Sequence, residues 1–171
     1  MSSINELYKR SIFDHNRNPR NFRAMEDASH SCEGYNPLCG DKVHIYIRLD
    51  DSDMVEDVSF TGSGCAIFKA SASFMTGAIR GKTQDQAKET VTKFLDMVAG
   101  SSDPEPEDTS LGKLSIFQGV REFPSRVKCA TLAWHALTCA MDKVASGEAN
   151  NGTATPAKDE SEPERNVVST E

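Results

Sequence analysis

The chain has 171 residues, enough for one domain, since single hydrophobic cores of roughly 100 to 150 residues are the commonest size. Its 26 acidic and 19 basic residues give a net charge of −7, which argues against nucleic acid or an anionic membrane as the main partner. The sequence contains no apolar run near the roughly 20 residues of a membrane span, and its start lacks the apolar core of a signal peptide. We therefore expect a cytoplasmic protein.

The first third of the chain predicts a helix and then a β-hairpin. Apolar residues at helical spacing open the sequence, and Pro19 marks the end of that helix. Apolar and polar residues alternate over 43–49, and a similar run covers 55–60 after the turn sequence DDSD. We expect these runs to pair as a hairpin, with a shorter strand before them near 30–35.

The rest of the chain is predominantly helical. Helical spacing and capping residues predict helices over 66–79, 83–99, 111–123 and 124–146, with an exposed acidic loop over 101–110. Residues 147–171 hold six acidic and two basic residues with few large apolar side chains, so we expect a disordered acidic tail. The folded domain is predicted to cover residues 1–146.

Five cysteines are the most informative residues. An odd number of cysteines in a reducing compartment favours metal binding or thiol chemistry over a disulfide framework, and no CxxC pair is present. Cys39 stands two positions before Asp41, so in an extended chain both side chains project to the same side. Cys65 stands at a predicted helix start, where backbone amides and the helix dipole stabilise a thiolate. Cys129 lies near Lys128 and Arg126, whose charges should lower its pKa.

These residues offer the four donors that a tetrahedral zinc ion takes, and they are called the four predicted ligands below: Cys39, Asp41, Cys65 and Cys129. Sulfur donors point to zinc, ferrous iron or an iron-sulfur cluster, and away from calcium or magnesium. Spacing alone leaves open the alternative that the cysteines are buried separately in the core, which is what we expect of Cys32 and Cys139. His44 and His135 are expected to be structural.

Four blocks of sequence resemble the SufU/IscU family of iron-sulfur cluster assembly proteins, which also forms the N-terminal domain of NifU. The blocks are IFDHNRNPRN (12–21), NPLCGD (36–41), GSGCAIFKASASFMT (62–76) and FPSRVKCATLAWHAL (123–137). The resemblance covers about residues 3–146. The chain is more similar to the SufU branch, because Lys128 stands where IscU proteins have a histidine and the LPPVK segment is missing.

The resemblance implies an α+β fold in which a small antiparallel sheet of about three strands packs against helices. It also implies a zinc ion held by the four predicted ligands, and a pyridoxal-phosphate cysteine desulfurase of the SufS type as partner. By this analogy Cys39 accepts sulfur from the desulfurase persulfide after leaving the zinc, while a histidine of the desulfurase takes its place. Downstream iron-sulfur assembly proteins would then receive the sulfur.

Three functions other than a sulfurtransferase-like carrier remain open from the sequence. The same ligands would suit a scaffold that binds iron and assembles a [2Fe-2S] cluster. A zinc hydrolase or deaminase is a remote alternative, because the deaminase pattern H-x-E followed by P-C-x-x-C is missing from the sequence. The third alternative is a zinc domain with a purely structural role.

Overall fold

The computed structural model describes residues 2–100, 110–146 and 167–169, which form one α+β domain around a single hydrophobic core. The helices are α1 (Ser2–Arg17), α2 (Ala66–Ile79), α3 (Gln84–Ala99) and α4 (Pro124–Ser146), with a 3₁₀ segment at Gly112–Glu122. The strands are β1 (His30–Asn36), β2 (Asp41–Leu49), β3 (Val55–Ser63) and β4 (Val167–Ser169). None of the helices in the described residues is long and apolar enough to cross a bilayer.

The sheet has the order β3-β2-β1-β4, with antiparallel pairing among the first three strands. The predicted hairpin is β2–β3, and the strand predicted near 30–35 is β1. The β1–β2 register ends with Asn36 opposite Asp41, so the two strands are joined by a short connection that contains Cys39. The antiparallel three-stranded sheet predicted from the sequence is thereby confirmed.

Helices cover one face of the sheet and bring distant residues together. α4 packs on β1 and β2, while α2 lies between α4, β3 and α1. Trp134 of α4 is fully buried, stacks on Phe94 of α3 at 4.0 Å between ring centroids, and donates a hydrogen bond from Nε1 to Ser71 Oγ. This packing fixes the rotation of α4 about its axis, and with it the direction in which Cys129 points.

The helix ends largely follow the capping residues in the sequence. The Thr83 side chain accepts a hydrogen bond from Gln86 N and the Gln86 side chain accepts one from Thr83 N, the predicted capping box of α3. Gly100 ends α3 with φ +82°, a left-handed conformation that glycine adopts without a steric penalty. The helix predicted over 111–123 is a 3₁₀ segment, and the loop predicted over 101–110 lies almost wholly outside the described residues.

Two features differ from the sequence predictions. Val167–Ser169, which we predicted to be part of the disordered tail, form β4 and pair in parallel with β1. Cys32 and Cys139, which we expected to be buried separately as thiols, form a disulfide between β1 and α4. Their Cα atoms lie 6.1 Å apart, within the range that a disulfide requires. Because they are 107 positions apart in the chain, only the packing of α4 on β1 could reveal this pairing.

Candidate metal centre

The four predicted ligands come from β2 with the turn before it, α2 and α4, which meet at one end of the strands. Cys39 lies in the turn between β1 and β2, and Asp41 is the first residue of β2. Cys65 is the N-cap of α2, and Cys129 lies in the second turn of α4. The site therefore depends on the packing of both helices against the sheet.

Cys39 and Asp41 are brought together by a turn, which corrects the extended geometry that we expected. Gly40 has φ +76°, and its N–H donates a hydrogen bond of 2.7 Å to the carbonyl oxygen of Asn36. Leu38 N also donates to Asn36 Oδ1 at 3.2 Å. The turn leaves Cys39 exposed while Asp41 is only 1% exposed.

Three ligand atoms already form a group of the size that one cation can bridge. Among the described residues, the thiol sulfurs of Cys39 and Cys129 and a carboxylate oxygen of Asp41 lie within 4.8 Å of one another. The sulfur atoms of Cys129 and Cys39 lie 3.4 Å apart, within hydrogen-bond distance. Cys65 is not a member of this group, but it adjoins it: its N–H donates to Asp41 Oδ1 at 3.1 Å, and its sulfur is hydrogen-bonded to Cys129.

Cys65 has the properties of a thiolate, as its position at a helix start predicted. The Cys129 thiol hydrogen-bonds to the Cys65 sulfur and lowers the pKa of Cys65 to about 6, while burial acts in the opposite direction. Phe68 N also donates to this sulfur at 3.5 Å. The first turn of α2 thus stabilises negative charge on Cys65.

Cys129 behaves in the opposite way, which corrects our prediction from its basic neighbours. The pKa of Cys129 is raised, first because its thiol is the hydrogen-bond donor to Cys65 and then because it is fully buried. Losing its proton would place a second negative charge beside the Cys65 thiolate and the Asp41 carboxylate. The pKa values of Cys65 and Cys129 are thus shifted in opposite directions.

Two further residues at this site were not predicted as site residues. The Arg126 guanidinium lies on the exposed side of the cluster, and the negative charge of Cys65 together with a hydrogen bond to Cys129 raises the pKa of Arg126. Tyr8 of α1 lies on the buried side, where burial and then the charge of Cys65 raise its pKa to about 12. The sequence signal for Arg126 was its position one turn before Cys129, whereas nothing in the sequence linked Tyr8 to the site.

Two observations indicate that the donors are arranged for a cation. Asp41 Oδ2 is buried and finds no hydrogen-bond partner among the residues that the structure describes, although burying an unpaired carboxylate oxygen is costly. A Cβ atom at Gly64 would overlap the Asp41 carboxylate, so glycine is needed for the approach of that backbone to the ligand. Three sulfur donors and one carboxylate suit zinc or ferrous iron.

The remaining cysteines and the two histidines lie away from this cluster. The disulfide Cys32–Cys139 joins β1 to α4 near the middle of both elements, which removes Cys32 from the candidate ligands. The ring of His44 stacks on Tyr46 at 4.3 Å, and burial lowers the pKa of both His44 and His135. Neither histidine belongs to the group of metal-binding atoms found in the described residues.

Comparison with known proteins shows which proteins the chain is similar to. The model of the NifU-like N terminal domain family matches residues 7–143. The zinc-dependent sulfurtransferase SufU of Bacillus subtilis is 42% identical over 146 residues, covering 85% of this chain and 97% of that protein. The iron-sulfur cluster assembly scaffold protein IscU of Streptococcus pyogenes is 36% identical over 148 residues, covering 86% and 91%.

A solved structure shares the fold over most of the chain. The crystal structure of a putative iron-sulfur cluster assembly scaffold protein for the SUF system from Fervidobacterium islandicum superposes with a TM-score of 0.72 at 35% sequence identity. The alignment covers 80% of this chain and 97% of that one. The resemblance seen in the four sequence blocks is confirmed: the chain belongs to the NifU-like N-terminal domain family.

Proposed function

We propose that this protein acts in iron-sulfur cluster assembly by accepting sulfur on Cys39 and passing it on. The observation that carries the proposal is the contrast between an exposed Cys39 and the buried Asp41 and Cys129, whose ligand atoms lie within 4.8 Å of the Cys39 sulfur. Cys39 is the ligand that another protein can reach. The name of the Bacillus subtilis relative, a zinc-dependent sulfurtransferase, supports the same role, and that of the Streptococcus pyogenes relative supports a part in iron-sulfur cluster assembly.

The resident metal that this donor set fits best is zinc, bound by the four predicted ligands. When bound, zinc would keep the thiol ligands deprotonated at neutral pH and protect them from oxidation. The Cys65 N–H holds Asp41 in place, and the second oxygen of Asp41, which has no hydrogen-bond partner in the described part of the chain, would bind the ion. Gly40, with φ +76°, makes the turn that places Cys39 at the surface beside the start of β2.

The sulfur donor in this proposal is a cysteine desulfurase of the SufS type that carries a persulfide. The Cys39 thiolate attacks the terminal sulfur of that persulfide and forms a new sulfur–sulfur bond. The donor's own sulfur–sulfur bond breaks, and the donor cysteine leaves as a thiolate. No external oxidant or reductant is needed, because the transferred sulfur keeps its oxidation state and the proton of the persulfide travels with it.

Persulfide mapping tests the proposal directly. After incubation with a cysteine desulfurase and cysteine, we expect the mass of one added sulfur atom on the peptide that contains Cys39. Cys39→Ser should abolish the label, whereas Cys65→Ser, which also removes one ligand thiol, should lose zinc and still accept sulfur on Cys39. A label on Cys65 or Cys129 of the unchanged protein, with Cys39 unmodified, would refute the assignment.

A second function uses the same residues, and the IscU relative supports it: a scaffold on which a [2Fe-2S] cluster is assembled. Lys128, half-buried beside Cys129, favours the carrier function. IscU proteins have a histidine at this position, a possible further metal ligand that this chain does not have. Reconstitution with iron and sulfide under anaerobic conditions separates the two. A cluster that forms and is transferred to an apo-protein supports the scaffold; retention of zinc with no cluster supports the carrier.

A further inference from the structure

Arg126 is the basic residue that shares a face of α4 with Cys129. The two residues are three positions apart and are neighbours on the helix surface, whereas the adjacent Lys128 is rotated from Cys129 by about 100° around the helix axis. Arg126 is exposed, and its guanidinium hydrogen-bonds to the Cys129 sulfur. Arg126 therefore connects the buried part of the cluster with the surface of the protein.

The charge of Arg126 is not paired with a carboxylate. In the described part of the chain, Arg23 and Arg80 each form an ion pair with the same acidic side chain, whereas Arg126 forms none. The charge of Arg126 acts instead on the sulfur atoms of the cluster, including those of Cys65 and Cys39. Arg126 thus keeps most of its five N–H groups for a group that arrives from solvent.

In the proposed function, sulfur transfer moves a negative charge from Cys39 toward the donor. The Cys39 thiolate uses an electron pair to form the new sulfur–sulfur bond, and the electron pair of the broken bond stays on the donor cysteine. Cys39 therefore loses a negative charge, and the donor cysteine on its solvent side gains one. A cationic hydrogen-bond donor on that side stabilises the transition state more than the starting state.

The surroundings of Arg126 would strengthen this effect once a partner is bound. Phe123, whose carbonyl oxygen accepts a hydrogen bond of 2.7 Å from Arg126 N, is 48% exposed. A partner that covers the Phe123 ring would exclude water from the neighbouring guanidinium, and a charge acts more strongly in a less polar environment. A guanidinium is also planar, so one N–H can stay bonded to Cys129 while others face an arriving sulfur.

We propose that Arg126 binds the sulfur that leaves: its guanidinium hydrogen-bonds to the donor cysteine as that cysteine becomes a thiolate during transfer to Cys39. Arg126 keeps all its protons in this step, so the atoms and electrons of the transfer balance without it. The proposal rests on the proposed function for the identity of the donor, whereas the positive charge beside Cys39 is a property of this chain alone.

Three variants of the whole chain test the proposal, compared at equal zinc content. Arg126→Gln removes the charge and keeps a polar side chain, and Arg126→Lys keeps the charge without the planar group. Arg17→Gln is the matched control, because it changes the net charge equally at an exposed arginine far from the cluster. Arg17 lies close to His15, whose ring is bonded to Ser73, about two turns along α2 from Cys65.

The first readout needs no desulfurase. Iodoacetate is an anion and iodoacetamide is neutral, so the ratio of their alkylation rates at Cys39, mapped by mass spectrometry, reports the charge next to that sulfur. We expect the ratio to fall roughly threefold in Arg126→Gln, the size of the effect of one charge a few ångströms away in water. Arg126→Lys and Arg17→Gln should match the unchanged protein. An unchanged ratio in Arg126→Gln would overturn the proposal, and so would a lowered ratio that lysine does not restore, because the effect would then not come from the charge.

The second readout is the single-turnover rate of persulfide transfer from a cysteine desulfurase to Cys39 at saturating protein concentration. We expect this rate to fall by a factor of roughly 10 to 100 in Arg126→Gln, to be partly restored in Arg126→Lys and to stay normal in Arg17→Gln. A normal saturated rate in Arg126→Gln would overturn the proposal, because Arg126 would then serve only in docking. If the unchanged protein takes no sulfur on Cys39, the proposed function fails and this role of Arg126 fails with it, whereas normal transfer in Arg126→Gln refutes the role alone.

Discussion

The sulfur atoms of Cys129 and Cys39 lie 3.4 Å apart although the residues are 90 positions apart in the chain. Cys129 is fully buried on α4, and Cys39 is exposed on a turn of the sheet. One cluster thus joins a thiol that is fixed by the core to a thiol that faces solvent. In the proposed function this asymmetry would make Cys129 the permanent ligand and Cys39 the sulfur acceptor.

The first prediction concerns the charge of Asp41. Asp41→Asn keeps an oxygen that can accept the hydrogen bond from Cys65 N, but it removes the anionic oxygen that has no partner in the described residues. We expect the zinc affinity, measured by competition with a chromophoric chelator, to fall by a factor of roughly 10 to 100 or more. Mutation of residues that only hydrogen-bond to a metal ligand already has effects of this size. Asp51→Asn, in the exposed β2–β3 turn, is the control and should bind zinc normally. Equal affinities for the two variants would show that Asp41 is not a ligand.

The second prediction compares two glycines. A Cβ at Gly64 would overlap the Asp41 carboxylate and lie 2.7 Å from the Phe68 ring, so Gly64→Ala should displace the ligand and lower both zinc content and thermal stability. Gly77 is exposed on α2, and a Cβ added there would meet no neighbouring atom within 4 Å, so Gly77→Ala should raise the free energy of unfolding by up to about 1 kcal/mol. A normal zinc content in Gly64→Ala would show that the Gly64 backbone does not need to pack closely against the Asp41 carboxylate.

The third prediction follows from the disulfide. In denaturant without reductant we expect three reactive thiols per chain, from Cys39, Cys65 and Cys129, and five after reduction. Cys139→Ser should lower the free energy of unfolding by about 2–4 kcal/mol relative to the oxidised protein, because the cross-link no longer restricts the unfolded chain. With reductant present the two proteins should unfold alike. Five reactive thiols before reduction would show that the bond does not form.

The fourth prediction is a pH dependence from His15. Burial, and then the charge of Arg20, lower the pKa of His15 to about 4. The pKa of a histidine in an unfolded chain is about 6.5. Between these pH values the unfolded chain binds a proton at His15 that the folded chain does not bind. Protonation of His15 therefore favours unfolding, and the free energy of unfolding decreases as the pH falls through this window.

The variant His15→Gln tests this contribution. In zinc-free protein, the free energy of unfolding of the unchanged chain should fall more steeply between about pH 6.5 and about pH 4 than that of His15→Gln, because other groups titrate equally in both. Nδ1 of His15 is 2.7 Å from Ser73 Oγ, and its ring stacks on Phe74, so the variant is also expected to be less stable at neutral pH. Urea unfolding at several pH values gives both quantities, and parallel curves would rule out a lowered pKa.

Local patterns in the sequence were sufficient for several features of the fold. The alternation over 43–49 predicted β2, and the Thr83–Gln86 pair predicted the start of α3, because periodicity and capping depend on residues close together in the chain. The residues around Cys39, Cys65 and Cys129 were specific enough to predict the family. The lowered pKa of Cys65 was predicted from its place at a helix start, although its largest cause is the hydrogen bond from Cys129, which only the fold supplies.

What the sequence determined by itself was the set of local elements, the identity of the candidate donors and the family to which the chain belongs. Only the tertiary structure decided which thiol is buried and which is exposed, that the pKa of Cys129 is raised, that Cys32 reaches Cys139, and that β4 returns to the edge of β1. These properties arise where elements far apart in the chain pack together. Burial, charge and pairing at those contacts are set by neighbours in space, which local dihedral preferences and residue spacing do not specify.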